Sequence, residues 1–146
     1  MENKNWNSLT QKIFSGSLLI ALLFLFNSCS KKIAFQSSSV VPAAEGTVKV
    51  TKDNNSNYVI RLELSNLAEP EKLQPSKQTY VVWMETDQER AKNLGQINSS
   101  TSLLSKRLKA SFETVSSVKP TKIFITAEDD ATVQYPGMLV LTTNNF

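Results

Sequence analysis

The chain contains one cysteine, Cys29, and no histidine. A thiolate is the softest and most readily activated nucleophile among the side chains, so Cys29 is the first residue to place. Lack of histidine removes the Cys/His zinc sites and every dyad or triad that uses imidazole as base. Acid-rich stretches occur at Glu128-Asp129-Asp130 and at alternating Glu85, Asp87 and Glu89. Their oxygens would suit a hard cation such as calcium, but calcium loops alternate their ligands around a turn glycine. The consecutive trio therefore reads as a polar turn and the alternating set as solvated loop charge. A glycosidase pair needs a cleft and a fixed carboxylate separation, and no Gly-x-Ser-x-Gly elbow frames a serine. The expectation is a protein that is not an enzyme and has no cofactor and no metal. Trp83 and Glu128 are the candidate ligand or interface residues, with a core role for Trp83 as the plainer reading, since it lies inside an apolar strand.

The elements around Cys29 explain what its thiol would do. Lys4 and Lys12 supply a positive N-terminal region, and Leu18 through Phe26 is an unbroken apolar run. Such a run is well short of the roughly 20 residues a spanning helix needs. The order of charge, apolar run and small residue is that of an export signal. Phe26-Asn27-Ser28-Cys29 resembles the lipobox of bacterial lipoproteins, in which a small residue precedes the cysteine that receives diacylglycerol and palmitate-type acyl chains. Phe26 and Asn27 depart from the commoner Leu-Ala or Leu-Ser. The resemblance implies cleavage between Ser28 and Cys29, a signal peptide over 1–28 and lipidation of Cys29. The other reading is a plain leader with a chance cysteine. The only cysteine of the chain, however, falls where a lipobox needs it. Ser30 is not the aspartate of inner-membrane retention, and Lys31-Lys32 is unlike an acidic surface-export signal. The expected address is the cell envelope, at the outer membrane facing the periplasm.

Beyond the leader, 40% hydrophobic and 20% charged residues describe an ordinary globular chain of one small domain. A net charge of +3 without a dense Lys/Arg patch gives no reason to expect nucleic acid. Residues 29–46, with Gln36-Ser37-Ser38-Ser39 and Pro42-Ala43-Ala44, read as an acylated N-terminus and flexible tether. From Thr47 the pattern has period two, and 47–146 reads as a β-sandwich domain. Thr47–Thr51 and Tyr58–Leu64 flank the turn-rich Lys52–Asn57, as a hairpin does. Thr79–Met84 is apolar throughout and predicts a strand buried on both faces. A short return follows at Leu94–Ile97. Leu103–Thr114 is ambiguous between helix and strand, and the alternation of Leu108, Ala110 and Phe112 with polar residues favours strand. Lys122–Ala127 and Met138–Thr143 complete an all-β, immunoglobulin-like antiparallel sandwich of roughly seven strands.

Two stretches carry a family resemblance. Tyr80-Val81-Val82-Trp83-Met84 with Asn93-Leu94-Gly95-Gln96-Ile97 is similar to part of the C-terminal extracytoplasmic domain of anti-sigma-K factors. Ile123-Phe124-Ile125-Thr126-Ala127-Glu128 with Tyr135-Pro136-Gly137-Met138-Leu139-Val140-Leu141 resembles that domain's closing strands. The resemblance implies a small sandwich of extracytoplasmic habit. It does not imply sigma-factor binding, because the zinc-containing module and spanning helix of those factors have no counterpart in this sequence, and Asp129-Asp130 replace their Gly-Gly pair. The function expected is non-catalytic binding by a lipid-anchored periplasmic domain, attached to the membrane through its N-terminus and partnered by an envelope protein, in a role linked to envelope signalling. A small-ligand or cation sensor and a structural envelope lipoprotein are the alternatives.

Overall fold

A computed structural model describes residues 32–97 and 109–146. Ser28 and Cys29, the leader, and the Leu103–Leu108 part of the ambiguous segment lie outside the described residues.

Alternation of side chains sets the first sheet. In β2 (Glu45–Lys52) and β3 (Tyr58–Ser65), Val48 pairs with Leu62 and Val50 with Ile60, all facing the core. The intervening rows, Thr47 with Glu63 and Lys49 with Arg61, face solvent. The turn between them is built by Asp53, whose Oδ1 accepts the N–H groups of Asn55 and Asn57, both at 2.8 Å. The hydrogen bond from the Asn57 amide is the main cause holding the Asp53 carboxyl below its ordinary range. Ser56 closes the turn with a positive φ of 64°.

The expected tether is corrected from Lys32 onward. Lys32–Ala34 forms β1, paired with β2 through Ile33 and Val48, and Phe35 makes a bridge to Thr143. Ser38 Oγ then accepts the amides of Val40 and Val41, and Val41 and Ala44 are buried in the core. The serine run that reads as linker is thus a side-chain-capped turn. The alternation of Ile33 and Phe35 is only four residues long, too short to register against its Ser- and Ala-rich flank.

Strand β4 (Thr79–Glu85) is buried on both faces as its composition predicts, with Val81, Val82, Trp83 and Met84 at zero exposure. It is flanked by β5 (Lys92–Gln96) and β7 (Lys122–Glu128), and β8 (Met138–Thr142) pairs with β7. The ambiguous segment resolves in favour of the strand where it is described. It becomes β6 (Lys109–Ser116), with Ala110 buried and Phe112 half-buried between exposed Lys109, Ser111 and Glu113. Two four-stranded antiparallel sheets result, β1-β2-β3-β6 and β5-β4-β7-β8. The hairpins are tied together by the β3–β6 and β4–β7 pairings, each made after the chain changes sheet. This is an immunoglobulin-like sandwich, with eight described strands rather than seven because β1 joins it.

The long β3–β4 connection contains a 3-10 turn, Pro70–Lys72, and is anchored by Tyr80, whose hydroxyl donates to the Ala68 carbonyl at 2.9 Å. Burial, with a lesser contribution from Glu71, pushes the Tyr80 phenol up to about 12. Its neutral form is therefore favoured by folding. The stabilisation is complete below the ordinary value of 10.0 and is lost as pH rises through 12. Tyr80→Phe should lower unfolding free energy by about 1–3 kcal/mol at neutral pH by stranding the Ala68 carbonyl. Urea titrations at stepped pH check this: the gap between the two proteins should narrow from pH 10 to 12, and a constant gap would contradict the assignment.

Candidate functional site

Strands β4 and β7 each send alternate residues away from the inter-sheet core. On the outer face of the second sheet stand Val81 and Trp83 from β4, with Phe124, Thr126 and Glu128 from β7. Trp83 and Phe124 are register partners, and their rings stack with centroids 6.1 Å apart at an interplanar angle of 8°. The indole N–H of Trp83 donates to Thr126 Oγ1 at 2.7 Å, which satisfies its one polar group. Ala91 from the β4–β5 loop and Val133 from the β7–β8 loop pack against this aromatic pair.

The β7–β8 loop, residues 129–137, is the roof, and it is pinned at two places. Asn93 on β5 donates through Nδ2 to the carbonyls of Ala131 at 3.0 Å and Val133 at 2.9 Å. Its Oδ1 accepts the amide of Gly95, which has a φ of 124°. That backbone conformation is open to glycine and strained for other residues. At the loop's far end, Glu128 Oε1 accepts the Gly137 amide at 2.6 Å. A Cβ at position 137 would stand 2.5 Å from Glu128 Oε2, so the carboxylate lies against bare backbone.

The remaining acids are spent separately. Asp129 pairs with Lys77 at 2.7 Å. Asp130 Oδ1 accepts the Thr132 hydroxyl at 2.7 Å and its amide at 2.6 Å. Those bonds, the hydroxyl first, hold its carboxyl below the ordinary range. Glu85 pairs with Lys122 at 3.3 Å, while Thr86 Oγ1 caps the amides of Gln88 and Glu89. Among the described residues no three Asp, Glu, His or Cys side chains come together in metal-holding geometry.

Trp83 and Glu128 are thus brought to one face, but neither is presented to solvent: Trp83 has no exposure and Glu128 has 5%. Their role in the structure is to hold the loop. The residue this arrangement displays is Tyr135, 83% exposed between Gln134 and Pro136. Sequence reasoning did not single it out. The signal available was an aromatic standing outside any apolar period, next to a proline. Beside the loop, along the β5 edge, lies a shallow groove of about 560 Å³ lined by Glu89, Lys92, Leu94 and Gln134 among others. A wider open depression of about 870 Å³ lies at the other sheet, between Lys32, Gly46, Glu63 and Lys109. Neither gathers a nucleophile with a base.

Compared with protein-family models, curated proteins and solved structures, the chain matches none of them.

Releasing one pin should open the roof. In a Trp6→Phe background, Trp83 is the only indole. There, Asn93→Ala should red-shift its fluorescence, admit acrylamide quenching and cost about 1–3 kcal/mol of stability through two stranded carbonyls. Emission that stays blue and unquenched would show that Asn93 does not hold the loop.

Proposed function

We propose that this chain is a non-catalytic bacterial lipoprotein whose sandwich acts as a binding domain at the cell envelope. The observation that carries the proposal is the placement of the sole cysteine directly after a short apolar run and a small residue, where a lipobox requires it. Acylation at Cys29 would confine the domain to one membrane, at the periplasmic face of the outer membrane. Confinement raises its effective concentration toward partners on that surface without any new contact. The partner proposed is an envelope protein, in a role tied to envelope signalling. The likeness of the β4–β5 and β7–β8 regions to the extracytoplasmic domain of anti-sigma-K factors supports that habit, and the all-β architecture agrees with it.

The binding element on this reading is the β7–β8 loop. An exposed tyrosine offers a large amphipathic contact with few rotatable bonds, so little conformational entropy is lost when it is covered. The two pins at Asn93 and Glu128 hold the loop before any partner arrives. Tyr135 is therefore assigned as the centre of the contact.

Two measurements test the reading. Metabolic labelling with a fatty acid should mark the wild-type chain and not Cys29→Ala, which should leave the membrane fraction; unchanged membrane association of Cys29→Ala would sink the anchor. A photo-crosslinking residue at position 135 should yield one discrete adduct with an envelope protein, weakened several-fold by Asn93→Ala. A failure to give any adduct would remove the loop from the binding role.

A further inference from the structure

The start of the folded domain limits how far it can stand from the membrane. If Cys29 carries the lipid, as proposed above, only Ser30 and Lys31 separate it from Lys32, the first residue of β1. Three peptide steps reach about 11 Å even when fully extended. No slack exists for a domain raised on a tether, because the residues that would form one are β1 and the capped turn after it. The part of the sandwich around Lys32 must meet the headgroups.

The register defines that part. Lys32 pairs with Lys49, Lys49 with Arg61 and Arg61 with Glu113, so one row crosses all four strands of the first sheet. The next solvent-facing row toward the β2–β3 turn is Thr51, Val59 and Val115, with Val115 55% exposed. Lys52 stands at the end of β2 with its ammonium 5.3 Å from the centre of the Tyr58 ring. Acids on this face are already engaged: Glu113 grips Arg61 through both oxygens, at 2.6 and 2.9 Å, and Glu63 meets Lys32 at 3.4 Å. Asp53 is turned onto the amides of its own turn. Lys49 and Lys52 have no ion pair among the described residues. A lysine surplus with an exposed aliphatic side chain suits an interface that attracts anionic headgroups and tolerates shallow apolar contact.

We infer that the outer face of the first sheet, around Lys32, Lys49, Lys52 and Val115, lies on the bilayer and binds anionic phospholipid headgroups, so that the opposite sheet and Tyr135 face away from the membrane. This rests on the lipid anchor at Cys29. It replaces a domain held off the membrane with one held flat against it.

The test uses the full acylated protein floated with vesicles of mixed zwitterionic and anionic phospholipid that carry a headgroup quencher. Cys29 is consumed by acylation and no other cysteine exists, so Val115→Cys and Tyr135→Cys each accept one fluorophore. The label at 115 should be quenched several-fold more than the label at 135. Adding Lys49→Glu and Lys52→Glu should bring that ratio toward one. Equal quenching at the two sites on acylated protein, or a ratio indifferent to charge reversal, overturns the membrane face alone. Absence of acylation at Cys29 overturns the anchor and this inference together.

Discussion

The second sheet depends on β4 being buried twice. Its seven-residue pairing with β7 supplies backbone hydrogen bonds, but its position is set by two apolar surfaces back to back. Tyr80, Val82 and Met84 point into the inter-sheet core, while Val81 and Trp83 point the other way. A sheet face that carries an indole beside a phenylalanine has to be covered, because apolar area of that size is costly in water. The first sheet has no such need, since its outer rows are lysine, arginine, glutamate and threonine. The difference between the two outer faces explains why one is bare and the other is roofed by a loop.

That roof connects packing to display. Val133 is drawn down onto the aromatic pair, Asn93 fixes the backbone beside it, and Glu128 fixes the return at Gly137. Burying a carboxylate is tolerable only with a committed donor, and the Gly137 amide is that donor. Tyr135 lies between the two fixed points and has nothing to pack against. A loop tied at both ends with an uncovered aromatic between them is the arrangement expected of a preorganised contact.

Period-two patterning made most of the fold legible. β2, β3, β4 and β7 are all visible as alternation or as a continuous apolar run, and the hairpin turn is visible as Asp53 through Asn57. β1 was hidden because three residues cannot establish a period, and because serines that cap a turn look the same in composition as serines in a linker. Trp83 and Glu128 attract notice by residue type, yet their burial depends on a loop more than forty positions from Trp83 in sequence. Tyr135 was passed over for the converse reason. Its exposure follows from where Asn93 and Glu128 hold the backbone, and no local pattern encodes that. The Cys29 reading is of another kind, a processing signal that no folded contact needs to express.

The bridge between Phe35 and Thr143 has a mechanical meaning. It joins the strand nearest the N-terminus to the residue just after the last strand, and Gln36 adds a bond to the Thr142 carbonyl at 2.8 Å. A pull on the chain from its N-terminal side runs along β1, antiparallel to β2, so the hydrogen bonds of that pair are loaded together in shear rather than peeled one by one. The same load is shared with β8 across the gap between the sheets. A protein moored by its own first strand can in this way bear tension as one body, with the sandwich itself serving as the shackle.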